Sequence, residues 1–322
     1  MKKIIFLFLA IAGLYTNALA QSISFKFEDG SVLSSSVRYK VEANVSSLLT
    51  AINEANKNNT DLRLSNISMA EDAKDKLQAI WENLHFYCED EANVQKCLET
   101  QLSYEIRNIP ITIVPLDETY KESREKELVI DFDRNGTITD IFMALDNNIY
   151  DKLLAQGHEI TDVRRRREIL KFVEDYRSYY DEKNLSAIRD IFSDDAIIIT
   201  GYVTYQKRPG DIQPQLEAQV RYHKQNKTEY INALSRTFAK NRYINVKFEE
   251  IKIVRNGAKP NYYGVTLKQV WNSSTYSDVG YVFLLWDFSD EEHPTIHVRT
   301  WQPGQFIHDE DEIFNMNDFF IP

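Results

Sequence analysis

The 322-residue chain reads as α+β: a mixed α/β N-terminal half, then a half in which helices precede a run of antiparallel strands. Three observations lead there. Ile169, Phe172, Val173, Tyr176 and Tyr180 fall at i, i+3, i+4, i+7 and i+11, one apolar stripe on a helix of period 3.6. Between Ile244 and Trp301 apolar residues alternate in runs divided by Asn256-Gly257 and Asn272-Ser273-Ser274, the pattern of strands joined by tight turns. Finally, once a leader is set aside, about 300 residues remain, which suits two domains of ~150.

The leader is residues 1–20. Lys2 and Lys3 give a positive start, Ile4 to Leu14 an apolar run, and Ala18-Leu19-Ala20 a small-residue cleavage site before Gln21. The run is short of the ~20 residues a membrane span needs, and no Cys follows the cleavage point to carry a lipid. The expected location is the periplasm or the cell surface.

Residues 21–160 form the first domain. Ile23, Phe25 and Phe27 alternate on a strand that ends at the Asp29-Gly30 turn. Val45 to Ala55 carries a helical pattern, Leu62-Arg63-Leu64 a short strand, and Ala70 to Phe86 a second helix with Ala73, Leu77, Ile80, Trp81 and Leu84 as its stripe. Strands follow at Ile111 to Val114, Leu128 to Phe132 and Ile138 to Ala144. A closing helix through Ile149, Leu153 and Leu154 ends at a Gly157 cap.

Two features of this domain bear on chemistry. Cys88 and Cys97 are the chain's two cysteines. In an oxidising compartment the simple expectation is a disulfide closing a small loop; the alternative places both on one helix, too far apart to bond. His85 alone does not complete a zinc site. The run Asp131-Phe132-Asp133-Arg134-Asn135-Gly136-Thr137-Ile138 matches the opening of a calcium loop through Asp131, Asp133 and Asn135, but Phe142 stands where a bidentate Glu is needed. A β-hairpin turning at Asn135-Gly136 is the favoured reading.

In the second half the helix ends at Asp181-Glu182-Lys183-Asn184, where Asn184 or Ser186 caps a short helix through Leu185, Ile188, Ile191 and Phe192. Ser193-Asp194-Asp195 reads as a turn and Ala196 to Tyr205 as a strand. Pro209-Gly210 and Pro214 mark a loop, Leu216 to Tyr222 a short strand, and Thr228 caps a helix facing inward through Ile231, Leu234 and Phe238. Ile244, Val246 and Phe248 share one phase and Ile251 and Ile253 the other, so a β-bulge is expected near Glu249-Glu250. Val279 to Phe288, nearly all apolar, should be a central strand, and Thr295 to Trp301 the last one.

Phe172, Tyr176, the polar break before Leu185 and the motif Phe192-Ser193-Asp194-Asp195-Ala196 resemble the opening of the nuclear-transport-factor-2-like, or SnoaL-like, cone fold. The resemblance spans residues 164–303 and implies helices packed into the hollow of a curved antiparallel sheet. More widely, WENLHFYCEDE, FAKNRYINVKFEE and YGVTLKQVWNSSTYSDVGYVFLLWDF resemble exported two-domain proteins of Bacteroidota-type bacteria, which implies location and architecture alone. Isomerases of the cone fold carry a carboxylate base five residues after the acidic pair; that position here is Thr200, whose hydroxyl is no base near neutral pH.

His297, Arg299 and Trp301 alternate on the last strand, which puts all three on one face and Ile296 and Val298 on the other. Facing a cavity, His297 would serve as acid or base and Arg299 would hold a carboxylate; facing outward, they are a polar exterior. Tyr202, Trp271, Trp286 and Trp301 are the pocket candidates, with core packing as the plainer role. The tail, residues 304–322, mixes acids with Phe314, Phe319 and Phe320.

Formal charge is −11 for the whole chain, and without Lys2 and Lys3 about −13. Such a chain repels nucleic-acid phosphate and anionic lipid. The Arg164 to Arg167 run, flanked by Asp162 and Glu168, is a solvated linker and first helical turn. No motif calls for a cofactor. The expectation is an exported, non-catalytic binding or assembly protein whose partner is an envelope protein or a small apolar or aromatic ligand, with a homodimer allowed. The alternative is a cone-fold lyase, isomerase or hydrolase acting through His297 and Arg299.

Overall fold

The structure, a computed structural model, describes residues 22–99, 103–116, 118, 120, 123–145, 163–207, 216–290 and 293–319. The leader, the closing helix through Ile149 and Leu154 with its Gly157 cap, the loop at Pro209-Gly210 and Pro214, and Phe320 lie outside them.

Along the first part come β1 (Ser24–Phe27), α1 (Ser35–Asn58), α2 (Glu71–Asn83), β2 (His85–Tyr87), β3 (Ala92–Gln95), β4 (Cys97–Glu99), β5 (Ser103–Val114), β6 (Glu125–Asp133) and β7 (Ile138–Met143). A sheet ordered β2-β5-β6-β7, with β4 also on β5, carries the first core, and β1 pairs in parallel with β3. In α1, Val41, Val45, Leu48, Leu49 and Ile52 make the buried stripe, Ser34 caps the start, and Asn59 ends it in the left-handed region (φ 50°). The helix begins ten residues before the expected Val45 because its first turns pack through a carboxylate. Buried Glu42 accepts from Phe27 N (3.0 Å) and Arg38 Nε (2.9 Å). Leu62 and Leu64 are buried without forming a strand: they plug the core from an extended link.

The expected disulfide is corrected: both thiols are free. The link between them holds β3 (Ala92–Gln95), and the two strands they adjoin sit at different places along one edge of β5, with Tyr87 opposite Thr112 and Cys97 opposite Ile106. Cys88 follows Tyr87 and so lies by Ile111, about five residues of strand from Ile106, which at ~3.3 Å each puts the two on the order of 15 Å apart, far beyond the ~4.4–6.8 Å between Cα atoms that a disulfide spans. Burial pushes the Cys88 thiol up to about 12 and that of Cys97 up to about 11. The calcium-like run forms the hairpin between β6 and β7, with Gly136 at φ 83°. Asp133 Oδ1 accepts from Asn135 N (2.9 Å) and Thr137 N (2.8 Å), while Asp131 turns away to Lys171 (3.0 Å). The two carboxylates are therefore spent on different jobs.

The second part runs α3 (Val163–Asp181), α4 (Leu185–Ile191), β8 (Phe192–Lys207), β9 (Leu216–Asn226), α5 (Lys227–Lys240), β10 (Ile244–Arg255), β11 (Tyr262–Ser273), β12 (Ser277–Asp287) and β13 (Thr295–Pro303). Its sheet is ordered β10-β11-β12-β13-β8-β9, antiparallel except between β13 and β8. Register shifts at Glu249/Lys252, Leu285/Trp286 and Ile296/Val298 bend it, and the helices pack their apolar stripes into the hollow. This is the cone. The bulge expected at Glu249-Glu250 is there, Glu250 taking φ 51°. Two local expectations are corrected. Ser193-Asp194-Asp195 opens β8 as strand, and α5 is capped by Asn226 in a reciprocal box with Glu229 instead of by Thr228. β12 is apolar on both sides because both are covered. Val282, Leu284 and Trp286 face the helices, while Phe283 and Leu285 meet Phe314, Met316 and Phe319 of the tail.

The helix α3 is shared. One face sinks into the cone; the other carries Lys171, Glu174, Asp175 and Ser178 onto the first sheet. Arg107 holds Glu174 with two hydrogen bonds (3.1 and 2.6 Å), and Glu174 also accepts from Leu145 N (2.9 Å). Arg177 donates to Ala144 O (2.9 Å) and Met143 O. Lys171 and Lys76 converge on Asp140 (2.7 and 2.8 Å), both stacked on the Phe142 ring. Those two ammonium groups hold Asp140 well below the usual carboxylate range.

Candidate functional site in the hollow of the cone

Along β13 the expected alternation fails at one residue. Ile296 pairs with Trp286 and Val298 with Leu285, so His297 is the extra residue of a bulge. Ile296 stays in the inner core and Val298 joins the outer cluster under the tail. His297 leaves with the outer group: its ring lies by Tyr262 (5.9 Å), Asp195 (3.6 Å) and Asp287 (3.5 Å). Arg299 goes in. The two residues paired by the sequence reading are therefore on opposite sides of the sheet, and the acid–base role of His297 beside Arg299 is withdrawn.

Inside, Arg299 is 5% exposed. Its Nε donates to the Tyr176 hydroxyl (2.8 Å), which touches that of Tyr180 (2.8 Å), which touches that of Tyr230 (2.7 Å). The guanidinium also lies 5.2 Å from the centre of the Tyr230 ring. Tyr176 and Tyr180 stand one turn apart on α3, and Tyr230 comes from α5, so three elements build the cluster. Burial pushes the Tyr176 phenol up to about 12 and holds that of Tyr180 well above the usual phenol range, so both stay neutral. Among the described residues no carboxylate forms an ion pair with Arg299, and its two terminal nitrogens donate to no protein group. A buried cation whose direct contacts are a phenol and a ring face, with the Asp278 carboxyl acting on it only from beyond ion-pair distance, is under-compensated.

The wall beside it is aromatic with one acid. Asp278 is paired across the sheet with Trp271, whose ring meets the edge of Tyr180 at 5.8 Å. Its Oδ1 is buried without a partner, and burial raises its pKa against the pull of the Tyr276 hydroxyl and of Arg299. Next along β12, Gly280 leaves room for the Trp301 indole: a Cβ there would sit 2.6 Å from Trp301 Cε2. Trp271 and Trp301 are half-buried.

The other sequence candidates fall elsewhere. Trp286 is fully buried against Phe172 and Phe288, a filler of the cone and not a pocket wall. Tyr202 is 48% exposed, on β8 opposite Arg221 and outside the cluster. Thr200 is half-buried opposite Trp301, leaving that strand position without a base. By spacing alone Tyr176 and Tyr180 are members of the apolar stripe; only Tyr230, fifty residues on, and Arg299 give their hydroxyls partners outside the helix.

No family model matches the chain, and no curated protein matches it. Among solved structures it is similar to Bd1075 of Bdellovibrio bacteriovorus, at 14% identity over 71% of this chain and 78% of that one, with a TM-score of 0.34. It is similar to naphthalene 1,2-dioxygenase with indole bound in the active site, at 7% identity over 51% of this chain and 90% of that one, TM-score 0.36. A third is an NTF-2-like protein of unknown function from Pseudomonas aeruginosa, at 11% identity over 43% of this chain and 97% of that one, TM-score 0.31.

Proposed function

We propose that this chain is an exported binding protein whose cone takes a small aromatic carboxylic acid, with the carboxylate on Arg299 and the ring at Trp271 and Trp301. One observation carries the reading: Arg299 is buried with no carboxylate of its own and with both terminal nitrogens unengaged. A guanidinium offers a planar fork that matches a carboxylate with two parallel hydrogen bonds, and a bound acid would supply the missing counter-charge. Export is supported by Lys2-Lys3, the apolar run to Leu14 and Ala18-Leu19-Ala20. No described helix is long and apolar enough to cross a membrane. An envelope-protein partner or a second copy would need a surface other than the outer face of β12 and β13, because the tail already lies there.

The test is calorimetry and thermal melting of the full mature chain with benzoate, phenylacetate and indole-3-acetate, beside the matching alcohols. At least one acid should bind while its alcohol does not, and Arg299→Met should weaken it by about ten-fold or more, as expected for a lost charge-assisted pair. Failure of every acid, or equal binding by Arg299→Met, refutes the reading. A second reading, an enzyme acting on the same acid, is favoured by Asp278, a carboxyl with raised pKa and an unpartnered oxygen on the same wall. It predicts turnover of the bound acid that Asp278→Asn abolishes while binding persists.

A further inference from the structure

The two halves of the molecule leave an open cleft of about 1010 Å³ between α2 and the corner joining α3 to α4. One wall is a face of α2 on which Asp72, Asp75 and Glu82 succeed one another, and Asp190 stands across from them on α4. None of these four carboxylates has a hydrogen-bond or ion-pair partner among the described residues. Glu182, also in the lining, is 5% exposed, and neither of its carboxyl oxygens has a partner. The cations at hand are already engaged. Lys76 pairs with Asp140 (2.8 Å) and Asp175 (3.2 Å), and Lys183 donates to Arg242 O (2.8 Å).

A buried carboxyl without donors is a standing cost that a bound donor would remove. The chemistry of that donor follows from the spacing. Among the described residues no three of His, Cys, Asp and Glu gather closely enough to hold a metal ion. Asp72 to Glu82 instead spreads over about 15 Å of helix at 1.5 Å per residue, and Phe172 and Tyr179 present aromatic surface between the acids. Separated negative points with apolar surface between them suit separated ammonium groups joined by methylenes, whose charges an aromatic face also accepts. We propose that this cleft binds a small aliphatic polyamine, one ammonium donating to Glu182 on the floor and the others reaching Asp75, Glu82 and Asp190.

The site carries its own proton signature. Burial pushes Glu182 up to about 8; Lys76 on α2 opposes this, while Asp175 and Asp181 on α3 and Asp140 on β7 add to it. His293, at the cleft's rim, is tied to Asp290 (3.5 Å). At pH 7 the empty cleft holds Glu182 protonated, so an arriving ammonium displaces that proton and binding tightens between pH 6 and 8.

The experiment is calorimetric titration of the full mature chain with spermidine as probe, at physiological salt and in two buffers of different ionisation heat. The expected result is saturable binding with roughly one proton released per spermidine. Glu182→Gln should weaken binding about ten-fold or more and remove the proton release, while melting no lower than the parent protein. The paired change Asp75→Asn with Glu82→Gln, on the exposed wall where folding is indifferent, should also weaken it several-fold. The proposal is overturned by no saturable binding below about 1 mM, by equal affinity in Glu182→Gln, or by binding that salt removes equally from every variant. Magnesium taken up through the same carboxylates without competition from spermidine would overturn it in favour of a metal site.

Discussion

Glu182 gives the sharpest test of how the two halves are joined, because burial holds it neutral where water would ionise it. The carboxyl is 5% exposed and has no hydrogen-bond donor, and Lys76, the ammonium that acts on it, is shared with Asp140 and Asp175. Its folded pKa of about 8 lies above the ordinary carboxylate value of 4.5. Below 4.5 both states hold the proton and the group is neutral toward folding. Between those limits the unfolded chain releases the proton and the folded chain keeps it, so stability falls as pH rises. The slope is about 1.4 kcal/mol per pH unit, and the full span is on the order of 4–5 kcal/mol, an upper bound because local opening to water relieves it. The measurement is urea unfolding of the parent protein and Glu182→Gln from pH 5 to 9. Other acids at the junction titrate in both proteins: Glu105 is raised to about 7 and Asp181 to about 6 by burial. The difference between the two curves therefore isolates Glu182. The variants should agree within about 1 kcal/mol at pH 5, with Glu182→Gln ahead by a few kcal/mol at pH 9. Parallel curves across the range would refute the argument.

Three further outcomes follow from the packing. Arg107→Leu should cost about 3–5 kcal/mol, since it strands the fully buried Glu174 carboxylate, and adding Glu174→Leu should recover much of that; denaturant unfolding of the two variants checks it. Removing residues 313–322 uncovers Phe283, Leu285 and Val298, each worth ~1.5–3 kcal/mol when fully buried, and should lower the melting temperature and raise binding of a hydrophobic dye. Thiol titration of the unfolded, unreduced protein should count two free thiols, and a count of zero would restore the Cys88–Cys97 bridge.

What the sequence could reveal depended on whether burial left a mark on residue type. In β10 the bulge at Glu249-Glu250 was legible because apolar residues stand on both sides of it: Ile244, Val246 and Phe248 in one phase, Ile251 in the other. In β13 an equally real bulge was not. Thr295 to Trp301 alternates without a break, and the extra residue, His297, is polar, so nothing records the slip that separates it from Arg299. The same limit applies to α3. Lys171, Glu174 and Asp175 have the spacing and mixed charge of a solvated face, and only the arrival of Arg107 and Asp140 from the first sheet makes that face interior. The short strands β3 and β4 hid for a related reason. In β3 the buried residue is Asn93 while Val94 is exposed, the reverse of the apolar-in pattern, and β4 is three residues long, too short to show any alternation.

The shared helix also limits how the molecule can move. A hinge between the halves would have to slide α3 against either the sheet of the first core or the hollow of the cone. On one side Glu174 is gripped twice by Arg107 and once by Leu145 N, and Arg177 reaches two main-chain carbonyls at the end of β7. Breaking these inside the protein would leave charged groups without partners, at a cost of several kcal/mol each. On the other side Tyr176 and Tyr180 are joined to Arg299 and Tyr230 by a continuous run of hydrogen bonds. Neither surface offers an easy slip plane. The halves are therefore expected to move as one body, and opening at either the cone site or the acidic cleft falls to what is less tightly held: the half-buried Trp271 and Trp301 at the first, and the exposed acids of α2 at the second.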